Sequence, residues 1–312
     1  VPAATEPAIS LLYQGRNNGR QQTERVSRKI KIGPDGRVSV HNIAGDITVT
    51  GGSGDEVSIE AVKWTRGDRN QLASVSVDIE ERAGRIDVRT MHTGRNDRVA
   101  VDYTITLPSS AAVEVRSVSG TVKVTSVEGA VRGETVSGDV TMAATRRLEK
   151  AKTVSGSISL TGVSTDGDLS VATVSGNLTG KALKARGIDL GTISGDVTMT
   201  DVMCEQLGVR SVSGNVDFGG GIVTGGRYEF HSHSGDMRLT LANPTGFELN
   251  ADSFSGAIRS DLPMTINSGS DRGDRNRRGR GPQNQSLQAT YGDGSATVIV
   301  RTFSGDIVLT ER

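Results

Sequence analysis

The sequence is poor in the residues that fill a broad globular core. Of its 312 residues only 3% are aromatic, 7 are proline and a single one is cysteine. Cys204 has no partner within the chain, so an internal disulfide framework is excluded. No stretch approaches the roughly 18 consecutive apolar residues of a membrane-spanning helix. Neither sign of charge is in excess: 36 basic residues balance 36 acidic ones, which removes any global attraction to nucleic acid or anionic lipid. What remains is suited to a narrow core of Val, Ile, Leu and Thr closed by many tight turns, and the 40 glycines supply the turns.

The glycines are not scattered. Thr135-Val136-Ser137-Gly138-Asp139-Val140 returns at Val154-Ser155-Gly156-Ser157-Ile158, Val174-Ser175-Gly176-Asn177-Leu178, Ile193-Ser194-Gly195-Asp196-Val197 and Val212-Ser213-Gly214-Asn215-Val216. Looser copies follow at His233-Ser234-Gly235-Asp236, Phe254-Ser255-Gly256-Ala257 and Phe303-Ser304-Gly305-Asp306. Upstream stand Val118-Ser119-Gly120-Thr121 and the degenerate Ile43-Ala44-Gly45-Asp46. From Gly120 to Gly256 successive glycines lie 18, 18, 20, 19, 19, 21 and 21 residues apart. A fixed turn signature at a period near twenty is the mark of a solenoid.

Taking the residue before Ser-Gly as position zero, apolar residues recur at −5, −3, 0, +4 and +6, as in Leu207, Val209, Val212, Val216 and Phe218. Spacing by two places side chains on one face of a strand, and the absence of a three-and-four recurrence excludes helix. The expectation is an all-β, single-stranded parallel β-helix of about nine to ten coils of 18–21 residues, roughly 45 Å long at about 4.8 Å per coil. In this register position zero points inward and the Ser-Gly-Asp segment forms a corner. Gly turns the chain there, and stacked Ser and Asp or Asn side chains tie coil to coil. A further apolar residue seven after the glycine (Val127, Val163, Leu183, Val202) suggests a third short face.

The organisation along the chain follows. Residues 1–22 read as a flexible tail whose opening fits a mature form lacking its signal peptide. Residues 23–110 alternate without the period and read as a β-rich N-terminal cap that includes the first degenerate coil. Residues 111–312 are the β-solenoid, interrupted at about 266–287 by a basic, disordered insertion that stretches the Gly256–Gly305 interval to 49 residues.

Gly45-Asp46-Ile47-Thr48-Val49, Asp55-Glu56-Val57, the run from Val101 to Pro108 and the serial Val-Ser-Gly-Asp-Val coils resemble a bacterial domain-of-unknown-function family described as a "putative adhesin" with β-strand repeats. The resemblance spans roughly Val26 to Leu309, with the basic insertion as its main departure. It implies an exported, envelope-associated β-solenoid without established catalytic residues.

Candidate chemistry is sparse. The Asp and Asn column (Asp139, Asn177, Asp196, Asn215, Asp236, Asp306) could hold Ca²⁺, but the nine-residue repeat of calcium-binding β-rolls is missing. Ser137, Gly138, Asp139, Ser155, Gly156, Ser194, Gly195, Asp196, Ser213, Gly214 and Asn215 read as structural turn columns. In the register above, His233 points inward and His231 outward, so the two diverge and no metal is expected. An outer face gathers Arg210, Glu229, His231, Asn250 and Asp252, the type of surface on which a β-helix lyase or hydrolase builds its site, although no paired carboxylates stand out. Arg66-Gly67-Asp68 and Arg272-Gly273-Asp274 fall in expected loops. The basic loop around Arg272, Arg275, Arg277, Arg278 and Arg280 lacks interleaved aromatics, which argues against nucleic acid. The reading is a non-enzymatic, exported envelope protein, periplasmic or at the cell surface. It needs no cofactor and binds a protein or glycan ligand. A polysaccharide-active enzyme and an end-to-end self-associating scaffold are the alternatives.

Overall fold

The computed structural model describes residues 21–33, 35–94, 98–267 and 285–312. Residues 1–20 of the expected tail and most of the basic insertion, with its Arg272-Gly273-Asp274, lie outside the described residues. Gln22 and residues 285–287, expected in the tail and the insertion, stand in strands. The chain is all-β and divides into two compact units, residues 1–146 and 147–312.

The first unit opens with β1 (Gln22–Lys31), β2 (Arg37–Ala44), β3 (Ile47–Gly52) and β4 (Glu56–Thr65), then a 3₁₀ turn at Arg69–Ser74. It continues with β5 (Val75–Arg82), β6 (Arg85–His92), β7 (Val99–Pro108), β8 (Ala112–Ser119), β9 (Val122–Thr125), β10 (Ala130–Ser137) and β11 (Val140–Ala143). Strands β2, β8 and β10, which lead into the glycine corners, belong to one sheet, in the order β10-β8-β2-β6-β5, and β3, β9 and β11, which leave them, to the other, β1-β4-β7-β3-β9-β11. Pairing is parallel from β6 to β10 and from β7 to β11. Beyond β6 and β7 it turns antiparallel, through β5, β4 and β1. The later strands β6 and β7 thus lie on the far side of β2 and β3 from β8 and β9.

The second unit comprises β12 (Arg147–Lys152), β13 (Ile158–Ser164), β14 (Asp168–Ser175), β15 (Leu178–Lys184), β16 (Gly187–Ser194) and β17 (Val197–Met203). Next come β18 (Gln206–Ser213), β19 (Val216–Gly220), β20 (Arg227–Ser234), β21 (Met237–Leu241), β22 (Gly246–Ser255) and β23 (Ile258–Ser260). Last are β24 (Thr265–Ile266), β25 (Gln285–Gly292), β26 (Ala296–Ser304) and β27 (Ile307–Glu311). The leading sheet runs β24-β25-β22-β26-β20-β18-β16-β14-β12 and the trailing sheet β13-β15-β17-β19-β21-β27-β23. The final coil in sequence, β26 and β27, is therefore not final in space. It lies between β20–β21 and β22–β23, parallel to both. The chain reverses first, with β25 antiparallel to β22. A period of twenty specifies how a coil is built but not its place in the stack.

The core is as narrow as the composition implies. In most coils of the second unit positions −5, −3, +4 and +6 are sealed, for example Ile188, Leu190, Val197 and Met199 in one coil and Leu207, Val209 and Val216 in the next, while Glu149, Ile258 and Ser260 are half-buried. Phe218 and Phe230 meet edge to face across the two sheets, their centroids 5.4 Å apart. The residues at +9 (Val127, Val163, Leu183, Val202) are buried as expected. Each follows directly on a second corner, where Ser126, Gly162, Ala182 and Asp201 all take left-handed φ of 54–61°. Ala144, with φ 50°, takes the same place in its coil, and the Ser, Ala, Gly and Asp found there share no side-chain chemistry that would mark the corner in the sequence.

Position zero corrects the expectation. Val118, Val136, Val154, Val174, Ile193 and Val212 are exposed, Ile193 by 51%. The inward residue is −1: Asn42, Ser117, Thr135, Thr153, Thr173, Thr192 and Ser211 are buried. The reason is parity. Positions −5, −3 and −1 share a face of the strand, and zero, three residues from −3, falls on the other. Some hydroxyls at −1 donate to corner carbonyls, Thr173 Oγ1 to Gly156 O at 3.0 Å and Ser253 Oγ to Gly305 O at 3.1 Å. The buried hydroxyls of Ser117, Thr192, Ser211 and Ser232, by contrast, have no hydrogen-bond partner among the described residues.

The corner itself is built as the repeat suggests. Gly195 has φ +143°, and a Cβ there would lie 2.1 Å from the carbonyl oxygen of Gly176, so glycine is required by conformation and by space. Beside it runs a side-chain ladder. Asn177 Oδ1 accepts from Asp196 N at 3.0 Å, Asp196 Oδ1 from Asn215 N at 2.8 Å and Asn215 Oδ1 from Asp236 N at 3.0 Å. Asp236 Oδ1 then accepts from Asp306 N at 2.9 Å, and Asp306 Oδ1 from Ala257 N at 2.8 Å. Ala257 breaks the Asp/Asn pattern because its coil is the last rung among the described residues, with no following N–H to receive. In the first unit Asp102 and Asp46 make the same contacts, to Asp46 N and Thr121 N.

Candidate functional site

Because position zero faces out, each coil of the second unit sets one side chain, apolar in all but the His233 coil, on the outer surface of the leading sheet. Strand register fixes their order in space as Val154, Val174, Ile193, Val212, His233, Phe303 and Phe254. The inserted coil is what joins the last three. His233 stacks on Phe303 at 5.0 Å and Phe303 on Phe254 at 4.8 Å, each pair within 9° of parallel. The rings are far apart in sequence, Phe303 being 70 residues from His233, and all three are exposed. Stacked aromatics of this kind hold one another rigid at little entropic cost.

Two and four residues earlier on the same strands stand the polar columns, roughly 7 and 13 Å away along the strand direction. Arg210 and His231 are register neighbours, as expected. Asn250 and Asp252 are not adjacent to Glu229 and His231, because β26 interposes Ile299 and Arg301 between them. Arg301 is thus a site residue that sequence order hides. His231 and His233 do not diverge as expected: they share the outer face by parity, with His233 committed to the aromatic stack.

The charges of this face are paired. Arg210 Nη1 meets Asp189 at 2.8 Å, Arg227 Nε donates to Glu229 at 2.6 Å, and Arg301 Nε lies 3.6 Å from Asp252. His231 Nε2 is 3.7 Å from the other oxygen of Glu229. The hydrogen bond from Arg227 holds the Glu229 carboxyl below the usual glutamate range against the opposing effect of burial, with lesser help from the charges of Arg227 and His231. A shallow groove of about 370 Å³ runs along this edge of the face, with Gly208 and Ser170 among its small residues and Asp168, Asp189, Arg227 and Glu229 on its walls. Glu229 belongs to both the groove and the mixed-charge patch.

A carboxyl held ionised makes a poor general acid. Glu229 and Asp252 also stand two strands apart, roughly 10 Å across the sheet, with an arginine on each. Among the described residues no group of three or more His, Cys, Asp or Glu is placed to hold a metal ion. Among them, too, no helix is long and apolar enough to cross a membrane. Arg66-Gly67-Asp68 lies in the first unit, where Arg66 and Gly67 border a hollow of about 440 Å³ with Trp64 and Arg98.

The class defined by this fold and surface is a β-strand repeat protein with parallel sheets. A family profile described as Toastrack DUF4097 matches residues 150–310, and the chain belongs to that family. Solved structures with similarity include one described as a "putative lipid binding protein" from Parabacteroides distasonis, 13% identical over 73% of this chain and 92% of that one, with a TM-score of 0.49. A "putative adhesin" from the same organism is 15% identical over 92% of this chain and 97% of the other, with a TM-score of 0.43. Another from Bacteroides fragilis is 11% identical over the same shares, with a TM-score of 0.36. Comparison with curated proteins finds no match.

Proposed function

We propose that this chain is a non-enzymatic binding protein of the cell envelope, adhesin-like. In this reading a β-solenoid of about nine to ten coils, capped by its N-terminal antiparallel strands, displays the outer face of the leading sheet to a ligand. The observation that carries the reading is the exposed column at position zero. A sheet face turned to water ordinarily carries polar residues at such positions. Here it carries Val, Ile, Phe or His at each rung of the second unit, 41–51% exposed where apolar. Contiguous exposed apolar surface rimmed by polar groups marks an interaction site. Export to periplasm or surface follows from the family resemblance.

The test is binding of the purified, fluorescently labelled chain to isolated bacterial envelopes. Ile193→Asp with Val212→Asp changes two exposed side chains and should leave the melting temperature within a few degrees while weakening binding at least about tenfold. Wild-type binding by that variant would remove the column from recognition. Turnover of any envelope polysaccharide, abolished by Glu229→Gln, would replace the binding reading with the enzymatic one.

A further inference from the structure

The chemistry of the face narrows its ligand. We propose that the aromatic strip His233, Phe303 and Phe254, together with His231, Arg301 and Asp252, binds an uncharged polysaccharide chain. This rests on the binding reading above and gives it a ligand class. Three observations converge. First, the rings, stacked face to face with centroids 5.0 and 4.8 Å apart, present their edges outward as a continuous apolar band with which successive sugars can make van der Waals contact. Second, the polar column directly beside the band, two residues up each strand, presents His231, Arg301 and Asp252, a set of oriented donors and acceptors suited to hydroxyl groups. Third, those charges are already neutralised in place, Arg301 by Asp252 and Glu229 by Arg227.

The third point discriminates between ligands. A polyanion would have to displace Asp252 and Glu229 from their arginines. An acyl chain or the dry core of a protein partner would strip water from paired charges that remain half-exposed, at a desolvation cost the pairs do not recover. Sugar hydroxyls substitute for that water and leave the pairs intact. The regular strand spacing of the face, about 4.8 Å per rung, favours a chain that repeats along it over a single small sugar.

Isothermal titration of the purified chain with chitohexaose, cellohexaose and mannohexaose tests this, with dextran sulfate and phosphatidylcholine vesicles as the competing chemistries. The expected result is saturable binding of at least one neutral hexasaccharide. Phe254→Ala with Phe303→Ala should weaken it at least about tenfold, while Phe303→Tyr, which keeps the ring, stays within about threefold. Circular dichroism and the melting temperature of each variant separate lost binding from lost structure. No heat with any neutral hexasaccharide at about 10 mM would overturn the proposal. Binding of dextran sulfate or vesicles alone, or neutral-glycan binding indifferent to the double variant, would overturn it equally. If envelope binding still depends on Ile193 and Val212 while neutral glycans do not bind, the ligand class fails and the binding surface stands. If envelope binding ignores those residues, the surface fails with it.

Discussion

Single buried groups give this narrow core a pH signature. Tyr228 donates to the carbonyl of Cys204 at 2.7 Å and accepts from Val223 N at 3.1 Å, while Tyr103 shares a 2.7 Å hydrogen bond with Thr90. Burial pushes both phenols up to about 12, and does the same to the Cys204 thiol. Each group is neutral when folded and loses its proton more readily when unfolded, so the unfolded state binds fewer protons above the ordinary thiol and phenol values. Stability is therefore complete below about pH 9 and declines as pH rises toward 12. Urea denaturation followed by far-UV circular dichroism should show a constant midpoint from pH 7 to about 9 and a falling one from there to 12. A midpoint that holds to pH 12 would mean these groups are hydrated in the native protein.

At the scale of the coil, the corner ladder converts a turn signature into an energetic link between neighbours. Asp196 takes the backbone N–H of Asn215 and, through its own N–H, binds Asn177. Removing one acceptor at a water-accessible rung should cost about 1 kcal/mol, because water replaces it only in part. Asp196→Ala should lower the unfolding free energy by that amount and Asp196→Asn by less than half of it, measured by urea titration. Equal losses in the two variants would assign the effect to charge instead. Most of this element was legible in the sequence: the glycine column, the Asp or Asn that follows it and the buried third face all stand in the repeat. The second corner was not, because Ser126, Gly162, Ala182 and Asp201 share a backbone conformation and no side-chain chemistry. Asp102 joins the first unit's ladder from a strand with no Ser-Gly motif.

At the scale of the whole molecule, the sequence shows the all-β class and the parallel repeat, while two features of the site depend on facts outside a linear pattern. One is order in space. Only the insertion of β26 between β20 and β22 brings Phe303 between His233 and Phe254, and Arg301 between His231 and Asp252. The other is parity. An apolar residue at zero invites an inward reading, yet Thr192, one residue earlier, fills the core and Ile193 faces out. The account depends on that orientation more than on any other point, and thiol labelling tests it directly. Cys204 is buried and serves as an unreactive internal reference. Single Val174→Cys, Ile193→Cys and Val212→Cys variants should react with Ellman's reagent in the native protein at close to the rate of a free thiol. Thr192→Cys and Val209→Cys should react only on unfolding. Rapid labelling at 192 and 209 with protection at 174, 193 and 212 would put the column back in the core and leave the proposed surface without its residues.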